Sequence, residues 1–220
     1  MNLLLTSAGI KNPTIEAAML DLLGKPIADC DALCIPTASY GHAPGGIHGS
    51  YRFITGRSTT PMCELGWKTL GVLELAALPT LDRDRWLPVV EAADVLLVNG
   101  GDALYLAHHM RASGFSDLVP SLSAVWVGLS AGSMVMTPRI GEDFKVWDPP
   151  GGGDEALGIV DFSIFPHVDH PALPENTMAA AEQWAAGLGN PAYAIDDDTA
   201  IRVVDGEVEV VSEGHWRRLP

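Results

Sequence analysis

Apolar and polar positions fall into blocks along the chain. Residues 2–7 (NLLLTS), 31–39 (DALCIPTAS), 94–99 (DVLLVN) and 124–129 (AVWVGL) are continuous apolar runs ending in polar or turn-forming residues. Strands buried on both faces of a parallel sheet read this way. Residues 13–24 (PTIEAAMLDLLG) open with Pro and close with Gly, as a helix does. A further apolar run at 71–78 (GVLELAAL) precedes an amphipathic segment at 82–93 (DRDRWLPVVEAA). Strand, glycine turn and helix then succeed one another at 94–110 and again at 124–136. The alternation predicts an α/β fold, a doubly wound and mostly parallel sheet with helices on both faces.

Past Gly141 the pattern loosens. Residues 148–158 (DPPGGGDEALG) are a loop by composition, 159–165 (IVDFSIF) a strand, and 174–187 a helix with Pro at its start and Gly at its end. The stretch VVDGEVEVV carries the Asp-Gly signal of a small C-terminal β-hairpin. Residues 40–60, rich in Gly, His and Ser, read as a flexible loop. With no internal repeat and no long linker, residues 1–220 are expected to form a single domain.

Composition narrows the function classes. The chain of 220 residues is 47% hydrophobic and 19% charged, enough for a sizeable core. It contains no run of about 18 apolar residues and its start lacks the features of a secretory leader, so a cytoplasmic protein is expected. Its three cysteines, Cys30, Cys34 and Cys63, match no zinc spacing and are expected to be reduced and buried, with no metal and no cofactor implied. A formal charge of −15 repels phosphate backbones and anionic lipid, which argues against nucleic acid and membrane as partners.

The candidate chemistry begins at GLSAG, residues 128–132, where a serine between glycines follows an apolar strand. A sharp strand-to-helix turn exposes a serine Oγ and aims backbone N–H groups at the same point, which suits Ser130 to nucleophilic attack and the Ala131 N–H to an oxyanion. A plain turn is the bland reading. The NGGD turn at 99–102 ends the preceding strand and should open on the same sheet edge, so the Gly101 N–H is a second oxyanion candidate. For a base, His167 in IFPHVDH stands just after a strand, with His170 as its rival; His108 and His109 within a helix, and His42 and His48 in the 40–60 loop, are weaker candidates. The orienting acid is sought in AIDDDTA, among Asp196, Asp197 and Asp198, with Asp143 and Asp148 as alternatives.

Together, GLSAGS, VNGGDALYL, FPHVDH and IDDDTAI resemble the peptidase E, or aspartyl dipeptidase, family of serine peptidases, whose distant relatives are the cyanophycinases. The resemblance runs from about residue 90 to 212. It implies a fold similar to class I glutamine amidotransferases and a triad of Ser130, His167 and Asp197, the last standing where relatives show Glu. It also implies an oxyanion site at Gly101 and Ala131, a short peptide substrate with an N-terminal Asp-X bond, and a homodimer as a family expectation. Arg139 is the first candidate to receive the substrate's carboxylate. Two rival readings are an α/β-hydrolase-type esterase, with Asp143 or Asp148 as acid, and an inactive amidotransferase-like ligand-binding protein.

Overall fold

The apolar runs pair with one another to make the sheet. In the computed structural model, which describes residues 1–42 and 46–220, β1 (Leu3–Thr6), β2 (Asp31–Ile35), β3 (Thr69–Val72), β4 (Val95–Val98) and β5 (Val125–Leu129) are mutually parallel in the order β3-β2-β4-β5-β1. All of β1, β4 and β5 is buried. Successive residues point to opposite faces: Leu3, Leu5, Leu96, Val98 and Trp126 pack on one side, and Leu4, Val95, Leu97, Val125 and Val127 on the other. Helices α3 (Arg83–Glu91) and α4 (Ala103–Ala112) cover the first face through Trp86, Val90, Leu104 and Met110. Helices α1 (Pro13–Leu23) and α2 (Gly46–Ile54) cover the second through Ile15, Met19 and Phe53. The fold is therefore the doubly wound α/β sheet expected.

The ends of α1 show how local sequence sets an element. Asn12 accepts a hydrogen bond from the Ile15 N–H, Pro13 fills the first turn, and Gly24 takes the left-handed conformation (φ 64°) that closes the helix. The hairpin at the C-terminal end also forms, with Asp205 (φ 50°) and Gly206 (φ 84°) between β8 (Thr199–Val204) and β9 (Glu207–Ser212). It is part of the main sheet: β8 lies antiparallel to β1, with Leu5 opposite Ile201, and β9 forms the edge. A second sheet, ordered β10 (Trp216–Leu219), β7 (Ala192–Ile195) and β6 (Ser163–Phe165), is covered by α6 (Met178–Leu188) through Trp184, Ala185 and Leu188. Residues 196–198 are thus the crossing from the small sheet to the large one.

Three expectations change. The run at 71–78 divides into the end of β3 and a 3-10 turn over Leu75–Thr80. The strand expected at 159–165 shrinks to Ser163–Phe165, because the Ile159 and Val160 N–H groups both bond to the Met136 carbonyl. Part of the supposed loop at 40–60 is α2, which the burial of Ser50 and Phe53 holds down; residues 43–45 of that loop lie outside the described residues.

Candidate active site

β4 and β5 are neighbours with Val98 opposite Gly128, so the turns that follow them share one sheet edge. Ser130 comes directly after β5 and before the short α5 (Ala131–Met134), with φ 50° and ψ −110°, a conformation rare for any residue with a Cβ. Strain of this sort costs on the order of 1–3 kcal/mol and persists only where the surroundings enforce it. Here they do. A Cβ on Gly128 would lie 2.5 Å from the Gly132 carbonyl oxygen, and one on Gly132 would lie 2.3 Å from that of Val98, so only glycine lets the chain double back. The Ser130 N–H donates to the Thr6 carbonyl (3.0 Å), and the Ser130 carbonyl accepts from Ser133 and Met134 N–H (2.8 and 2.9 Å). Ser133 Oγ donates to the same Thr6 oxygen (2.7 Å), and Trp126 Nε1 to the Gly132 carbonyl (2.9 Å).

The NGGD turn packs against this elbow. Gly100 is the residue that meets the serine, since a Cβ there would stand 3.4 Å from Ser130 Cβ. Gly101, at φ 142°, lies against the Ala38–Ser39 backbone. Asn99 Nδ2 donates to Ser39 Oγ (2.6 Å), which donates to the Gly100 carbonyl (3.1 Å). Asp102, buried, caps α4 by accepting from the Tyr105 N–H, and its second oxygen accepts from the Trp147 N–H (both 2.7 Å). Among the described residues the N–H groups of Gly101 and Ala131 have no hydrogen-bond acceptor.

His167 follows β6 after Pro166 and also has a left-handed backbone (φ 58°). Its Nδ1 lies 2.6 Å from Asp197 Oδ1, and its backbone N–H donates to Ser7 Oγ at 2.7 Å. Ser7 is fully buried and follows β1, whose last residue, Thr6, is paired with Leu129 just before Ser130. The serine elbow and the His167–Asp197 pair therefore flank the same end of β1. With Nδ1 turned to Asp197, Nε2 is the ring atom left open; among the described residues neither Nε2 nor Ser130 Oγ has a hydrogen-bond partner. Catalytic contacts are often long before substrate binds. Burial pushes the Asp197 carboxyl upward, but the hydrogen bond and charge of His167, the charge of His170 and the Ser7 hydroxyl outweigh it and hold the group below its ordinary range.

The other candidates are placed elsewhere. His170 Nε2 stands 3.5 Å from Asp197 Oδ2, on the outer side of the pair. Asp196 holds local structure: its Oδ1 accepts from Thr199 Oγ1 and Asp198 N–H, and its Oδ2 from the His215 N–H. Asp198 accepts from Asn12 Nδ2 through its carbonyl. Asp148 pairs with Lys145 and Asp143 lines a surface pocket with Phe144, Glu175 and Trp184. On α4, His109 packs on Tyr105 and His108 on Trp147 of the segment after Phe144, and His48 is exposed on α2. Arg139 departs most from expectation. Its Nε and Nη2 both lie 2.9 Å from Asp154 Oδ1 and its Nη1 donates to the Leu188 carbonyl (3.1 Å), so the guanidinium is committed and none of its contacts reaches Ser130, His167 or Asp197. All three cysteines are buried and free. Among the described residues no cluster of His, Cys, Asp or Glu is arranged for a metal, and no helix is long and apolar enough to cross a membrane.

Ser7 and Gly100 were not singled out from the sequence. The signal was present for both: in a parallel sheet the residue after strand β1 opens on the same edge as those after β4 and β5, and NGGD offers two glycines.

Comparison with known proteins decides the family, because the sequence model of peptidase family S51 matches residues 3–211. The chain belongs to peptidase family S51. Solved structures share the fold of this S51 peptidase. One is a candidate peptidase E from Listeria monocytogenes EGD-e, with a TM-score of 0.68 and 19% identity, covering 97% of this chain and 98% of that one. Another is a peptidase from an acI-B1 Actinobacterium, with a TM-score of 0.67 and 21% identity, covering 98% and 88%. No curated protein matches the sequence.

Proposed function

We propose that this S51 peptidase hydrolyses short peptides through Ser130, His167 and Asp197. Ser130 Oγ attacks the scissile carbonyl carbon while its proton passes to His167 Nε2. Asp197 accepts from His167 Nδ1–H, fixing the tautomer and stabilising the imidazolium. The N–H groups of Ala131 and Gly101 meet the developing oxyanion. His167 then gives its proton to the leaving amine, and water, activated by the same ring, releases the acyl group. The observation that carries the reading is the 2.6 Å pair between His167 Nδ1 and Asp197, beside the strand end that also anchors Ser130.

The narrower part of the proposal is a preference for N-terminal Asp-X bonds, which rests on the resemblance to peptidase E. A protein of net charge −15 attracts an acidic dipeptide only through a local cation, and Arg139 is occupied by Asp154. The test is to compare kcat/KM for Asp-Leu, Glu-Leu, Ala-Leu, N-blocked Asp-Leu and a short-chain ester. The account expects peptide turnover that Ser130→Ala abolishes, with Asp-Leu exceeding Ala-Leu by more than about a hundredfold if a charge-paired pocket is present. Equal rates for Asp-Leu and Ala-Leu would remove the Asp preference and keep the peptidase. Turnover of the ester alone would favour an esterase.

A further inference from the structure

Ser7 sits fully buried at the end of β1, and a buried hydroxyl must find partners. It has three polar neighbours: the His167 backbone N (2.7 Å), Asp197 Oδ1 (3.2 Å) and His167 Nδ1 (3.3 Å). The assignment of protons follows from the inventory of donors. His167 Nδ1–H is directed at Asp197 Oδ1, the shorter contact at 2.6 Å. The single Ser7 proton then goes to Asp197 Oδ1, and a Ser7 lone pair accepts the His167 main-chain N–H. One hydroxyl therefore bonds the backbone of the candidate base and the carboxylate that orients its ring.

That backbone needs holding, because His167 is left-handed without being glycine. The adjacent Val168 N–H donates to the Ile195 carbonyl (3.1 Å), so the loop is tied on one side to β7 and on the other to Ser7. The residue before Ser7 holds the other half of the centre: the Thr6 carbonyl accepts from Ser130 N–H and Ser133 Oγ. Two consecutive residues of β1 and its end thus bind the serine elbow and the histidine–carboxylate pair.

We propose that Ser7 is a positioning residue of this peptidase, whose hydroxyl holds the His167 ring on Asp197 and in register with Ser130. The inference rests on the assignment of Ser130, His167 and Asp197 given above. The titratable groups facing the pair are His170, 3.5 Å from Asp197 Oδ2, and beyond it His215 between Asp169 and Asp196. Ser7 itself does not titrate, but its proton shares the charge of Asp197 Oδ1. Without it that oxygen serves His167 alone, and the His167 main-chain N–H loses the acceptor that holds it.

The experiment measures the rate at which a fluorophosphonate labels Ser130 as a function of pH, in the wild-type chain, Ser7→Ala and Ser7→Thr. The low-field proton resonance of His167 Nδ1–H and a thermal melt are recorded for each. Ser7→Ala is expected to slow labelling about a hundredfold, the loss typical of a misplaced catalytic group. It should also change the pH profile of labelling and shift or broaden the resonance, whereas Ser7→Thr, which keeps the hydroxyl, should restore all three. If Ser7→Ala does not fold, Ser7→Cys, with its weak S–H donor, replaces it with the same expectation. A Ser7→Ala protein that labels at the wild-type rate with an unchanged pH profile and resonance overturns the inference, and so does a lowered melting temperature with none of those changes. If Ser130→Ala is labelled as fast as wild type, the triad assignment fails instead, while the resonance still reports whether Ser7 holds His167 on Asp197.

Discussion

Two of the short ion pairs in the C-terminal half of this protein, Arg139–Asp154 and His167–Asp197, are built to opposite ends. Around Arg139 each guanidinium nitrogen has one acceptor: Nε and Nη2 contact Asp154, Nη1 donates to the Leu188 carbonyl, and the second Asp154 oxygen accepts from the Gly141 N–H. Asp154 is almost wholly buried, and the pair stitches the segment after α5 to a glycine-rich loop and to the end of α6. The His167–Asp197 pair is shorter still, yet it leaves His167 Nε2 open on strained backbone near a serine that is strained as well. The Arg139–Asp154 pair, engaged at every nitrogen and both carboxylate oxygens, holds the chain together. The unsaturated pair on strained backbone suits the role proposed above for His167 and Asp197. The resemblance to peptidase E made Arg139 the first candidate for the substrate's carboxylate; in the fold its partners are Asp154 and the Leu188 carbonyl.

The sharpest way to break this contrast is to remove one member from each cluster. Truncation of His167 to Ala should lower kcat/KM by about 10⁴- to 10⁶-fold while the protein stays folded at the assay temperature. Parallel peptide assays and melts check both halves, and retention of more than a tenth of the activity would contradict the assignment of the base. Asp154→Ala should do the reverse. It leaves a partly exposed Arg139 without its carboxylate and a buried Gly141 N–H without an acceptor, a loss of about 2–3 kcal/mol in a denaturant melt, with kcat/KM of the folded protein changed less than about tenfold. An Asp154→Ala protein as stable as wild type but inactive would mean that the two clusters have been read the wrong way round.

A smaller effect concerns pH. The Asp197 carboxyl is lowered in the folded chain, so its contribution to stability is present above the ordinary carboxylate value of about 3.9 and is lost as pH falls through the folded value. The stability gap between wild type and Asp197→Asn should therefore be open at neutral pH and close below about pH 4. Urea melts across that range check it, and a gap that widens with acid would reverse the sign of the argument.

How much of this was legible beforehand depended on the range over which the deciding interactions act. Continuous apolar runs announced β1, β2, β4 and β5, and glycines at 128 and 132 announced a turn that no larger residue could make. Those are local properties, and periodicity reports them. The short α2 was hidden because Gly46, Gly49 and Ser50 give its nine residues the composition of a loop. Ser7 was hidden for a different reason: its partners lie 160 and 190 positions away. The Arg139–Asp154 pair was hidden in the same way on a smaller scale, since Asp154 sits in a stretch that composition marks only as a loop. Residue type tells what a side chain can do, but which polar atoms are already answered is a property of the folded chain.

The central claim is that Ser130 is the nucleophile, and the most direct test is to find the atom that carries the covalent adduct. After reaction with a fluorophosphonate, the digested protein is mapped by mass spectrometry. The account predicts one modified site, at Ser130, absent in Ser130→Ala and formed far more slowly in His167→Ala. An adduct on any other serine, or an unmodified Ser130 in protein that still cleaves peptides, would contradict it.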